Sequence, residues 1–276
     1  MKKILLPTDF SDNAWSAIVY ALKLYKDESC VFYFLHSTKL KAMSSRTYIT
    51  SSFIESINEE AMKEILALKE LVETSDANTN HEFEIIISSN DLISAIKRIV
   101  KESNIDLVIM GTKGVTGANE FFFGTNTMRI IKNVKLCPVL IIPEEYDFTT
   151  PSQIAFPTDY NRFYSNKELK PLKELADLYD SKIRIMHINI QKELNDVQEY
   201  NLMMLKGYLN NYNHTFHWIP DYSKKEIEIK DFIEELEINI LVMVNYKHSF
   251  IENIINEPVI KKIGFHPTVP FLVVPC

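Results

Sequence analysis

Apolar residues in this chain follow two alternating patterns. Short unbroken runs such as KILL at 3–6, DLVIM at 106–110 and FLVV at 271–274 are rich in Ile, Val and Leu. Between them lie longer stretches in which apolar residues recur every three or four positions. Trp15, Ala17, Ile18, Ala21 and Leu22 form one such face; Leu169, Leu172, Leu175, Ala176 and Leu178 form another. Unbroken apolar strands belong to parallel sheets covered on both faces, and a period near 3.6 marks a helix. The pattern predicts strands at 3–6, 30–36, 82–88, 106–110 and 138–142, with helices at 11–26, 50–74, 90–103 and 125–133. It then predicts strands at 153–156, 182–188, 213–218, 239–244 and 270–274, with helices at 165–179, 190–210, 223–237 and 250–262.

The second series repeats landmarks of the first. KILLPTDF at 3–10 corresponds to QIAFPTDY at 153–160. The next strand ends in histidine in both, as SCVFYFLHS and KIRIMHI, and the series close alike in CPVLIIP and VPFLVVP. Paired landmarks at this spacing indicate an internal duplication. The expected architecture is two tandem open α/β domains, 1–146 and 151–276, joined near EEYDFTTPS at 144–152. Each is a mostly parallel, five-stranded, Rossmann-like sheet with helices on both faces. Right-handed crossovers are expected, because they are nearly universal in βαβ units.

Composition narrows the function classes. The net charge of -7 gives no general attraction to nucleic acid or to an anionic membrane. Cys30, Cys137 and Cys276 are far apart and make no zinc-ligand spacing, so reduced thiols and a cytoplasmic location are expected. The apolar run of MKKILLPTDFSD stops too early for a signal peptide, and no segment is apolar for long enough to span a bilayer.

Four of the six glycines lie within GTKGVTGANEFFFGT, residues 111–125. This stretch follows a predicted strand and precedes a predicted helix. Glycines at a strand's carboxyl end let backbone N–H groups approach an anion, and a helix N-terminus adds unpaired N–H groups and a favourable dipole. The P-loop pattern and the dinucleotide GxGxxG are both absent. Glycine spacing alone also fits a sharp turn and an exposed loop.

The layout Gly111-x2-Gly114-x9-Gly124-Thr125, with Pro7-Thr8-Asp9 ending the first strand, resembles the universal stress protein family. MGTKGVTG and CPVLIIP are similar to that family's usual wording. The resemblance covers nearly the whole chain as two tandem domains. It implies ATP, with or without Mg²⁺, as the ligand. Adenine and ribose would lie near Pro7, Thr8, Asp9, Ser37 and Met110. Phosphates would meet Gly111, Lys113, Gly114, Gly124, Thr125 and Asn126. The residues themselves leave alternatives: Asp9 also suits a helix cap, Lys113 a solvated loop, and Phe121–Phe123 an anchor for that loop. His36 reads as support for its strand end.

The second half departs from the pattern. Aligned on spacing within NYKHSFIENIINEPV, Gly111 corresponds to Asn245, Gly114 to His248, Gly124 to Pro258 and Thr125 to Val259. Pro258 offers no N–H to a phosphate. Asp159 persists after Pro157-Thr158, so the expectation is a domain that keeps the first-strand half of the pocket and loses the phosphate half.

No Ser-His-Asp arrangement, paired carboxylates or general base can be assigned. The leading expectation is therefore an ATP-binding, nucleotide-responsive regulatory or interaction protein in stress response. A slow ATPase and a nucleotide-free scaffold are the alternatives. The two domains are expected to pair as an intramolecular pseudo-dimer. A homodimer and protein partners of unknown identity are further expectations, and the helical patterns at 50–74 and 190–210 are candidate contacts.

Overall fold

The structure, a computed structural model, describes residues 1–38, 50–112, 125–189, 193–220, 225–246 and 268–276. The fold is α/β and Rossmann-like, a mostly parallel sheet flanked by helices. By compactness the described residues divide into Met1–Gly111 with Thr125–Val139, and Thr112 with Leu140–Cys276.

The first series runs β1 (Lys2–Pro7), α1 (Asp12–Leu24), β2 (Cys30–Ser37), α2 (Ser51–Ser75), β3 (His81–Ser88), α3 (Leu92–Glu102), β4 (Leu107–Gly111), α4 (Thr125–Asn133) and β5 (Val139–Ile142). β1 is central: it pairs in parallel with β2 through Lys2–Cys30 to Pro7–Leu35, and with β4 through Ile4–Leu107 and Leu5–Val108. β3 lies outside β2. Val108 N donates to Pro138 O, and Thr112 N to Ile142 O, each at 3.0 Å. Ile4, Leu5, Phe32, Val108 and Ile109 are fully buried, as their unbroken apolar runs require.

The second series is β6 (Gln153–Pro157), α5 (Asn166–Tyr179), β7 (Lys182–Asn189), α6 (Asp196–Tyr208), β8 (His214–Pro220), α7 (Lys225–Glu235), β9 (Ile240–Asn245) and β10 (Phe271–Pro275). Its strand order is β10-β9-β6-β7-β8. The helix expected at 250–262 lies outside the described residues.

The duplication extends to backbone detail. Asp106 N donates to Lys3 O and its carboxylate accepts from Lys3 N, both at 2.9 Å. Asn239 repeats both bonds with Gln153, again at 2.9 Å. The register, however, corrects the alignment by spacing. Ile4 faces Leu107 while Ile154 faces Ile240, so Met110 corresponds to Met243 and Gly111 to Val244 rather than Asn245. The conserved-length loop suggested one count, but hydrogen-bonded strands admit no one-residue slip without reversing every side chain.

Local sequence explains where the helices begin. Ser11 caps α1 by accepting from Ala14 N, and Ser165 with Glu168 forms a reciprocal capping box on α5. The predicted helix at 190–210 starts later, at Asp196, where Asn195 and Gln198 form another capping box.

Candidate functional site

In the first unit the chain passes from β1 to β2 and β3 on one side, then crosses to β4 on the other. The carboxyl ends of β1 and β4 therefore flank a topological switch point, the crevice in which open α/β sheets receive ligands. Pro7, Thr8 and Asp9 stand at one wall of it, and Met110 and Gly111 at the other.

The Pro-Thr-Asp-aromatic turn is tightly specified. Thr8 N donates to Leu35 O at 2.8 Å, continuing the parallel ladder beyond β1. Phe10 takes a φ of 63°, a left-handed conformation that costs a non-glycine residue about 1–2 kcal/mol. Three contacts offset that cost. Phe10 N donates to Thr8 Oγ1 at 3.0 Å, the Phe10 ring stacks on His36 at 4.6 Å, and His36 Nδ1 donates to Thr8 O at 2.9 Å. The carbonyl acceptor fixes that nitrogen as the protonated one. His36 thus supports the turn, as its sequence position suggested.

This turn lifts Asp9 to the surface. Asp9 Oδ1 accepts from Ser11 Oγ at 2.6 Å and Ser11 N at 3.3 Å. Oδ2 has no bond among the described residues and is available to a ribose hydroxyl or an amino group. Ser37 Oγ donates to Asn90 O at 2.7 Å, so a ligand at this strand end would meet the Ser37 backbone.

Met110 is buried. Gly111 has a local reason for lacking a side chain: a Cβ there would lie 2.5 Å from Asn13 O and 2.7 Å from Asn13 Cγ and Nδ2. The first turn of α1 thus packs directly on the end of β4. The Asn13 Oδ1 beside it is buried and has no hydrogen bond among the described residues. The sequence reading missed this contact, although the glycine was its visible signal. Asn126 is exposed in the first turn of α4, which Thr125 opens. Lys113, Gly114 and Gly124 lie outside the described residues, as does the Thr125 side chain.

The second unit repeats the turn and adds side-chain contacts beside it. Tyr160 has a φ of 55°, its N donates to Thr158 Oγ1 at 3.2 Å, and its ring stacks on His187 at 4.7 Å. His187 Nδ1 donates to Thr158 O at 2.9 Å, and burial pulls its pKa below the ordinary value. Here the correspondence ends. Ser11 caps its helix immediately after Phe10, whereas Asn161–Tyr164 intervene between Tyr160 and Ser165. Tyr164 is buried and shares a 3.0 Å hydrogen bond with Thr158 Oγ1; burial pushes its phenol up to about 12. Tyr246 OH donates to Asp159 Oδ1 at 3.2 Å, and Asn161 N donates to the same oxygen at 3.0 Å. Burial, then the neighbouring Tyr164 and Asp159, raises the Tyr246 pKa.

The Arg162 guanidinium packs on these rings, 4.7 Å from the Tyr246 centroid and 5.4 Å from that of Tyr164. It also pairs with Glu168 and donates to Cys276 Sγ at 3.3 Å. Asp159 therefore persists, but its environment does not. The expected first-strand residues Pro157, Thr158 and Asp159 are in place, and the inserted residues and Tyr246 make contacts there that have no counterpart at Asp9.

The comparisons agree with this architecture. The model described as the universal stress protein family matches residues 1–143. Universal stress protein YxiE of Bacillus subtilis is 26% identical over 145 residues, covering 51% of this chain and 97% of that protein. Universal stress protein MJ0577 of Methanocaldococcus jannaschii is 28% identical over 155 residues, covering 51% of this chain and 94% of that protein. A universal stress protein structure from Archaeoglobus fulgidus matches 99% of this chain and 96% of its own with a TM-score of 0.73; at 16% identity it speaks for the fold alone. Among the described residues no helix is long and apolar enough to cross a membrane. The family model spans more than half of the sequence, and the chain belongs to the universal stress protein family.

Proposed function

We propose that residues 1–146 form a domain that binds one adenine nucleotide, ATP with or without Mg²⁺, and that residues 151–276 form a related domain that binds none. The observation that carries this reading is the contrast at the two switch points. Asp9 is exposed, and both donors to its Oδ1 come from nearby Ser11, whereas Asp159 is half-buried, accepts from the distant Tyr246 and is flanked by Tyr164 and Arg162. Thr8 and Ser37 supply backbone at the adenosine end. Lys113, Gly114, Gly124, Thr125 and Asn126 are the proposed phosphate contacts, and the N-terminus of α4 provides a favourable dipole.

The protein then acts in the cytoplasm as a nucleotide-responsive regulator rather than through rapid turnover. Bound nucleotide shifts a conformational equilibrium by its different affinity for two states. The two domains pair within the chain as a pseudo-dimer, and chains associate further as a homodimer. The test is titration of freshly prepared, nucleotide-free protein with ATP and Mg²⁺. Saturation at one nucleotide per chain is expected, with loss of binding on the combined Gly114→Val and Gly124→Val substitutions. Absence of saturable binding to the unsubstituted protein would overturn the reading.

A further inference from the structure

α6 has two unlike faces. One buries Asn201, Leu202 and Leu205 and is tied to the crevice turn: Gln198 Nε2 donates to Asp159 O at 2.9 Å and Asn201 Nδ2 to Tyr160 O at 2.8 Å. The other presents Val197, Tyr200 and Met203 to solvent, each more than half exposed. Gly207 continues this outward stripe. A Cβ at Gly207 would meet nothing within 4 Å, so packing within this chain does not require glycine there. Glycine weakens a helix, and a bare backbone on an outward face gains meaning when another helix approaches closely.

Charge identifies what fits. Glu199 and Lys206 are both exposed, seven residues apart, and flank the same side of the stripe. The Lys206 ammonium lies 5.4 Å from the Phe216 ring centroid, which steadies it near the C-terminal end. A second copy of α6 laid antiparallel brings each Glu199 beside the other copy's Lys206. A parallel arrangement would set this flanking position against the opposite one, Glu199 against Met204, and lose the Glu–Lys pairing. In heptad terms Asp196, Tyr200, Met203 and Gly207 occupy the seam, with Asp196 at its N-terminal end facing Gly207 of the other copy, and Glu199 and Lys206 hold the same flanking position.

We propose that α6 docks antiparallel on α6 of a second copy of this chain. Tyr200 of each copy packs against Met203 of the other, Val197 lies against Met204, and Gly207 admits the close approach. α2 fits this role poorly. Its exposed Met62 and Leu66 lie on a different side of the helix from Phe53 and Leu71, so they form no single apolar stripe. A pair of helices about 20 Å long makes a small interface, so association is weak and concentration-dependent.

This inference rests on the homodimer part of the proposed function and is tested on the full chain by sedimentation across a concentration series. Mass should rise from 32.1 kDa towards twice that value. Combined Tyr200→Glu and Met203→Glu should weaken association at least about tenfold, because aromatic anchors dominate such interfaces. Glu199→Lys and Lys206→Glu should each weaken it, and the double swap should restore it. All four positions are exposed, so unchanged circular dichroism and melting are expected to show intact folding. A dimer indifferent to the Tyr200/Met203 pair would overturn the α6 interface while leaving the homodimer standing. A wild type that stays monomeric at all concentrations would overturn both, and a double swap without restoration would overturn the antiparallel arrangement.

Discussion

Gly111→Ala tests the contact that closes one wall of the candidate site. The added Cβ would lie 2.5 Å from the Asn13 carbonyl oxygen and 2.7 Å from Asn13 Cγ and Nδ2. The Asn13 side chain can rotate away, but its carbonyl belongs to the first turn of α1 and moves only with that helix. Overpacking of this kind costs about 1–3 kcal/mol. Alanine also restricts the unfolded chain, which offsets about 0.4–1 kcal/mol. The net expectation is destabilisation of about 1–2 kcal/mol. Gly207→Ala provides the opposite case: its Cβ enters open space, and alanine in a helix gains about 0.5–1 kcal/mol. Guanidinium titrations at dilute protein, followed by far-UV circular dichroism, read both effects as midpoint shifts at constant slope. The Gly111→Ala midpoint should fall and the Gly207→Ala midpoint should rise. A neutral or stabilising Gly111→Ala would refute the close packing of α1 on β4, and with it the structural reason given for this glycine.

Two further outcomes concern the second unit. Tyr246→Phe removes the phenolic donor to Asp159 and should cost about 1.5 kcal/mol in denaturant unfolding, as expected for a hydrogen bond to a charged group; no loss would mean that Tyr246 does not secure Asp159. For Glu168, burial alone would raise the carboxyl pKa, but the Ser165 N–H, the Ser165 hydroxyl and Arg162 outweigh it and hold the pKa below the ordinary carboxylate value. The folded state therefore binds this proton less readily than the unfolded state. The advantage of wild type over Glu168→Gln should be full at neutral pH, begin to shrink near the unfolded value, and vanish as pH falls through the folded one. Thermal melts between pH 7 and pH 3 measure that difference, and an advantage that persists unchanged in acid would contradict the assignment.

Much of the fold was readable because its signals are local. Unbroken apolar runs gave the strands, 3.6-residue periodicity gave the helices, and paired landmarks such as Pro-Thr-Asp-aromatic gave the duplication. The bounds of α4 matched the predicted 125–133. Bounds shifted where a cap decided them, as at Asp196, because a capping box depends on two side chains rather than on periodicity. The position of Pro-Thr-Asp at the end of β1 was equally legible, and the strand order of the fold then sets that end beside the switch point.

Other features depend on residues far apart in sequence. Asp9 and Asp159 sit in near-identical sequence contexts, yet Asp9 Oδ1 is bonded only by Ser11 among the described residues, while Asp159 Oδ1 receives Tyr246 from 87 positions away. Spacing paired Gly111 with Asn245, whereas interstrand hydrogen bonds pair it with Val244. The sequence by itself determined the order of elements, their duplication and the placement of Pro-Thr-Asp at a strand end, since each follows from interactions between near neighbours. Only the tertiary structure decided the register of β9, the need for glycine at 111 and the closure around Asp159. Those three depend on distances between segments that local propensity does not encode, and on volume that two atoms cannot share.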